Sequence, residues 1–325
     1  MRQLASRLGL GRLLLHCWYR PKGWVSEVVA SGGPFEMRAT ERGRNEMATE
    51  AERLAPLESS PQQPTVTLHI LTGRRYWFQT AFCLQSLVSL GRTNVQVELY
   101  DDGSFDEGIV GLIRHYVPRC QIHLVSETRE RIERLLPDSR FPALRERWNN
   151  YPNIRKLIDP HLGSTGWKLV LDSDILFFRE PRFLTSWSQN PSASLHTVDC
   201  QESYGYSRQI LEQLAGRKLP ERVNVGVCGL LSETLDWERL EFWCHQLIVN
   251  NRPSYYLEQA LVAMLLAGQK TISASADEYV TRPTPPEALN CHAVMHHYVA
   301  ESKRWYFQQN WRRILAAAGS TVESA

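Results

Sequence analysis

Two aspartates, Asp172 and Asp174, close the apolar run Lys168-Leu169-Val170-Leu171, and the chain resumes at once with Ile175-Leu176-Phe177-Phe178. On an extended backbone, positions i and i+2 point the same way, so both carboxylates share one face. Like charges placed side by side at the end of a buried segment are most easily neutralised by a divalent cation. Mn²⁺ or Mg²⁺ takes such oxygen ligands and commonly keeps substrate phosphates in its shell. A turn-forming, capping Asp pair is the competing reading.

The elements around this D-x-D explain why it can be presented. Residues 167–178 are Leu-, Val-, Ile- and Phe-rich between Gly166 and Pro181, as expected of a central strand covered on both faces. Upstream, strands are expected at 66–71, 95–100 and 122–125, with helices at 76–90, 107–116, 127–136, 141–150 and 154–162. Downstream, strands at 194–197, 223–230, 271–273 and 293–296 mix with helices at 207–215, 233–249, 256–266 and 302–317. Alternation of this kind predicts an α/β domain with a mainly parallel sheet flanked by helices. Ligands in such sheets sit beyond the carboxyl ends of the strands. Thr72-Gly73, Asp101-Asp102 and Asp172-Ser173-Asp174 all fall there.

With these motifs in place, the chain resembles the GT-A (Rossmann-like nucleotide-diphospho-sugar transferase) glycosyltransferases, most closely family 8, the glycogenin and bacterial galactosyltransferase type. That family carries H-F-x-G-x-x-K-P-W near its C-terminus. Here His297-Tyr298-Val299-Ala300-Glu301-Ser302-Lys303-Arg304-Trp305 keeps the His, an aromatic, the Lys and the Trp, and replaces Gly by Ala300 and Pro by Arg304. The resemblance implies that His297 completes a metal site with Asp172 and Asp174, and that Lys303 contacts a diphosphate. Imidazole is a good Mn²⁺ ligand and a lysine ammonium is a point charge against phosphate. The neighbouring His296 reads as a packing residue.

Further positions follow from the same likeness. Thr72 and Gly73 would line the nucleotide entrance, Asp102 (or Asp101) would read the base, and Lys156 or Arg155 would reach the donor. Ser173 and Gly226 would lie against it. Asn224-Val225-Gly226 resembles an N-x-G strand whose Asn bonds sugar hydroxyls. Glu258-Gln259 resembles a D-Q pair beside the reacting anomeric carbon, where Glu258 orients a hydroxyl or acts as a base. The implied activity is metal-dependent transfer of a sugar from a nucleotide-diphosphate donor, a UDP-sugar, to a carbohydrate or other acceptor, with retention. A non-catalytic nucleotide-sugar or glycan-binding protein of the same fold is one alternative. A D-x-D phosphohydrolase is another, and it would need a second acidic cluster, whereas Asp199, Asp236 and Asp277 stand isolated.

Composition sets outer bounds. The 325 residues carry 37 basic and 35 acidic side chains, interspersed, which leaves no basic field for nucleic acid. Seven scattered cysteines without a CxxC point to reduced thiols and a cytoplasmic setting rather than a disulfide frame. No apolar run approaches the ~18 residues of a membrane span. Residues 1–64 differ from the rest: a basic, partly amphipathic helix at 1–19, a turn-rich connection at 21–33, a charged helix at 37–54 and a Pro-rich linker at 56–64. This segment is expected to be a helical extension packed on the domain formed by 65–325, with peripheral contact to a membrane surface as the alternative.

Overall fold

The structure, a computed structural model, describes residues 32–58, 62–90 and 93–322, with side chains to residue 317. The expected helix at 1–19, nearly all of the connection at 21–33, and residues 59–61 of the linker lie outside the described residues. No helix among the described residues is long and apolar enough to cross a membrane.

Helix α1 (Pro34–Ala51) starts with proline at its first turn, where a missing N–H costs nothing, and buries Gly43, Met47 and Ala51 against the body of the protein. The βα alternation then follows: β1 (Thr65–Thr72), α2 (Trp77–Val88), β2 (Asn94–Asp101), α3 (Glu107–Tyr116), β3 (Gln121–His123), α4 (Val125–Leu135), α5 (Pro142–Asn150), α6 (Arg155–Ile158) and β4 (Trp167–Leu171). The second half contains β5 (Ile175–Phe177), α7 (Arg182–Gln189), β6 (Ser194–Val198), α8 (Arg208–Ala215), β7 (Val223–Leu231), α9 (Trp237–Asn251) and α10 (Leu257–Leu266). It closes with β8 (Thr271–Ser273), β9 (Tyr279–Thr281), α11 (Pro285–Asn290), β10 (Met295–His297), α12 (Lys303–Trp305), a π-helical turn (Tyr306–Asn310) and α13 (Trp311–Val322). Side-chain caps mark several helix starts, as when Asp106 accepts the Ile109 N–H at 3.0 Å at the head of α3.

Seven strands form one sheet in the order β3-β2-β1-β4-β7-β6-β8. Four of its six pairings are parallel, and β7 runs against both β4 and β6. The carboxyl ends of β1, β2, β4 and β6 therefore share an edge with the amino-terminal half of β7. Apolar clusters cover the two faces, one around Leu169, Leu171, Phe82 and Met47, the other around Cys228, Leu230, Trp243 and Leu261.

The long strand expected at 167–178 is divided at the D-x-D. β4 stays in the large sheet, whereas β5 enters a second sheet ordered β5-β10-β9. α7, β9 and α11 were not legible from periodicity. The helix expected over 154–162 is a 3₁₀ turn at Pro152–Ile154 followed by the short α6.

Candidate active site

The division of β4 from β5 brings distant residues to the D-x-D. β5 pairs antiparallel with β10, placing His297 opposite Ile175. The Tyr298 N–H donates to the Asp174 carbonyl at 2.9 Å, and the Asp172 N–H to the Gly226 carbonyl at 2.8 Å. His297 Nε2 then lies 3.3 Å from Asp174 Oδ1 and 3.6 Å from Asp172 Oδ2. Asp172, Asp174 and His297 each offer one ligand atom within 4.8 Å of the others. Two carboxylate oxygens and one imidazole nitrogen at this spacing suit a hard or borderline divalent cation.

Lysines flank the cluster. Lys303 Nζ is 3.0 Å from Asp174 Oδ2. Lys156 Nζ is 2.8 Å from Asp172 Oδ1 and 3.5 Å from Glu258 Oε2. Burial works against charge on both Asp174 and His297, but Lys303 and His297 hold the Asp174 carboxyl below its usual range, and the two aspartates raise His297. Burial also opposes the Lys156 charge, and Asp172 and Glu258 outweigh it. For Glu258 burial wins: its carboxyl is pushed up to about 7 despite Lys156. Asp172, Asp174, His297, Lys156, Lys303, Asn224, Gly226, Glu258 and Gln259 line a cavity of about 370 Å³.

Gly226 and Asn224 hold the imidazole. A Cβ on Gly226 would sit 2.4 Å from His297 Cε1 and Nδ1, so glycine lets the ring lie flat against β7. Asn224 Oδ1 accepts the Gly226 N–H at 2.9 Å and the Thr197 hydroxyl at 3.2 Å, and stands 3.2 Å from His297 Nδ1. Its oxygen is committed to these partners, which leaves the Nδ2 amide protons as the donors Asn224 can offer to a ligand in the cavity. Gln259 donates both amide protons, to Asp199 Oδ2 at 3.0 Å and the Ser203 carbonyl at 2.8 Å, leaving Oε1 as its remaining polar atom.

Other expected residues sit elsewhere. Arg155 does not line the cavity: it is 5% exposed, 3.0 Å from Asp159 Oδ2, and donates to the Asp101 carbonyl at 2.6 Å. Asp101 is spent on its own loop, accepting N–H groups from Gly103, Ser104, Phe105 and Val125. Asp102 accepts from Ser104, with its carboxylate directly over Gly73, where a Cβ would meet Oδ2 at 2.0 Å. Thr72, Gly73, Asp101, Asp102 and Ser173 are not among the residues lining the cavity. His296 is fully buried, bonded to Glu287 Oε1 at 2.8 Å and the Tyr298 hydroxyl at 2.9 Å. Ala300 adopts φ 50°, a left-handed conformation that glycine takes more readily than alanine.

Asp199, Arg282, Tyr255 and Tyr256 also line the cavity and were not singled out from sequence. A signal for Asp199 existed, since it directly follows β6, whose carboxyl end shares the edge with that of β4.

No family model and no curated protein matches the chain. Among solved structures, the galactosyltransferase LgtC in complex with donor and acceptor sugar analogues matches at 15% identity and a TM-score of 0.50, covering 78% of this chain and 95% of its own. Mouse xyloside xylosyltransferase 1 matches at 14% identity and 0.48, covering 72% and 97%. Glycosyltransferase GlyE of Streptococcus pneumoniae TIGR4 matches at 12% identity and 0.46, covering 80% and 64%. The chain has the GT-A fold, as LgtC does.

Proposed function

We propose that this protein is a metal-dependent glycosyltransferase that moves a sugar from a nucleotide diphosphate donor, a UDP-sugar, to a carbohydrate or other hydroxyl acceptor, with retention. The observation that carries the reading is the convergence of Asp172, Asp174 and His297, flanked by Lys156 and Lys303. These three side chains would hold Mn²⁺ or Mg²⁺, which would neutralise charge growing on the departing diphosphate. Lys303, 42% exposed in its side chain, would exchange Asp174 for a diphosphate oxygen. Glu258 and Gln259 Oε1 would face the transferred sugar from the first turn of α10. LgtC, whose fold this chain shares, was solved in complex with donor and acceptor sugar analogues, which supports a transferase reading of this site.

The buried Cys83, Cys228 and Cys244, whose thiols burial pushes well up, suit a reducing, cytoplasmic setting. Residues 65–325 would form the transferase domain and residues 1–64 an accessory extension in reach of a membrane surface. The test is Mn²⁺-dependent UDP binding and UDP-sugar hydrolysis by the wild type and Asp174→Ala. Loss in the variant supports the reading, and absence of Mn²⁺-dependent UDP binding in the wild type would sink it.

A further inference from the structure

α1 carries a glycine in mid-helix, which costs about 1 kcal/mol relative to alanine and calls for a packing reason. Gly43 is buried against the π-helical turn: a Cβ there would lie 2.0 Å from the Phe307 carbonyl oxygen and 2.8 Å from its carbon. These are backbone atoms, so nothing flexible could yield. The contact is reinforced along the helix. Gln308 Nε2 donates to the Glu36 carbonyl at 3.2 Å, to Glu36 Oε2 at 2.9 Å and to Thr40 Oγ1 at 2.9 Å. Arg312 pairs with Glu46, and the Arg44 guanidinium covers the Phe307 ring at 5.9 Å.

The turn gripped in this way begins one residue after α12, the three-residue helix that opens with Lys303. π-Helical segments are rare, and single turns of them are often found at functional sites. Tyr306, fully buried, links the turn to the other side of the site by packing on Tyr298 at 4.9 Å, and Tyr298 binds the Asp174 carbonyl. Ala300, three residues before Lys303, has φ 50°, so the segment holds an unfavourable backbone conformation that outside packing must sustain.

We infer that α1 is a brace that positions Lys303: by seating Gly43 on the Phe307 carbonyl and anchoring Gln308, it holds the 300–310 segment so that the lysine reaches the Asp174 side of the cavity. The assignment of Lys303 to a diphosphate rests on the proposed transferase reading, whereas the brace itself is a statement about this chain's geometry. Gly43 and Gln308 touch no reacting atom and act through Lys303 as positioning residues.

The experiment is a double-mutant cycle on the full chain, with Mn²⁺-dependent UDP binding measured by calorimetry for wild type, Gly43→Ala, Lys303→Met and the pair. Gly43→Ala is expected to weaken UDP about tenfold, and to add less than about twofold once Lys303 is gone. Equal losses in both backgrounds would overturn the inference, because a merely structural defect does not depend on Lys303. Gln308→Ala, a milder release that introduces no clash, is expected to follow the same pattern if Gly43→Ala unfolds. A second readout needs no nucleotide: acetylation of Lys303, followed by mass spectrometry and normalised to the exposed Lys270, is expected to speed up in both variants. Unchanged labelling overturns the brace. Wild type without UDP binding overturns the transferase reading, and labelling still decides the brace.

Discussion

Asn224 Oδ1 stands 3.2 Å from His297 Nδ1 while accepting the Gly226 N–H at 2.9 Å, which fixes the asparagine amide with its oxygen toward the ring. With a cation between Asp172, Asp174 and the ring, a neutral His297 would keep its proton on Nδ1 for Asn224 and turn the Nε2 lone pair to the metal. This is the arrangement by which a partner behind a histidine orients it toward a metal. Asn224→Ala is accordingly expected to weaken Mn²⁺ binding by about 10- to 100-fold. Titration with Mn²⁺ monitored by electron paramagnetic resonance measures it, and an affinity equal to wild type would contradict the orientation.

Gly226 tests the same ring from the opposite side. Gly226→Ala puts a methyl group 2.4 Å from two ring atoms, and the imidazole must rotate or withdraw. Because His297 is 4% exposed and flanked by strands, it has little room to do so. The expected result is loss of Mn²⁺ affinity by at least about tenfold with the fold retained by circular dichroism. Retention of full affinity would show that His297 is not the nitrogen ligand.

The legible parts of this protein were those written in local pattern. The βα alternation up to β4 and the Asp172–Asp174 pair follow from apolar period and strand-end position. The likeness to a known motif singled out His297, and only tertiary pairing explains its arrival, since β5 and β10 meet across more than a hundred residues. The break between β4 and β5 was hidden because both halves are equally apolar, and an apolar run does not say which sheet it joins. Asp101 looked like a ligand because strand ends collect ligands. Its carboxylate instead satisfies four loop N–H groups, a use that sequence does not distinguish from binding. Asp199 looks isolated along the sequence, although its place directly after β6 puts it on the cavity wall.

Glu258 gives the site a pH signature in the metal-free protein. Its carboxyl is raised from 4.5 to about 7, chiefly by burial, so the folded state prefers the proton that the unfolded chain releases near 4.5. Its contribution to stability is full below about 4.5 and lost as pH rises to about 7, amounting to about 3 kcal/mol by the linkage relation. Glu258→Gln removes that dependence. Urea unfolding between pH 4.5 and 8 with a chelator present should show a smaller decline for Glu258→Gln than for wild type. The raised His297 contributes a decline of the same sign, which both proteins share. Parallel pH curves would refute the assignment to Glu258.

Arg155 and Lys156 are adjacent in sequence and opposite in consequence. Lys156 joins Asp172 to Glu258 within the cavity. Arg155 points away into a buried network with Asp159, its guanidinium 4.9 Å over the Trp148 ring, while Trp148 Nε1 donates to Asp159 at 2.7 Å. Removing one partner of a buried ion pair strands the other charge, so Arg155→Met is expected to cost about 3–5 kcal/mol of stability. Its effect on the Mn²⁺ affinity of the folded protein should stay within about twofold, as for a residue that shares no partner with the metal cluster. Lys156→Met should instead abolish UDP-sugar hydrolysis, because it leaves Asp172 and Glu258 facing each other without the intervening charge. Denaturant melts and Mn²⁺ titrations on both variants separate the two roles. Wild-type stability in Arg155→Met together with lost nucleotide binding would show that Arg155, and not only Lys156, serves the donor.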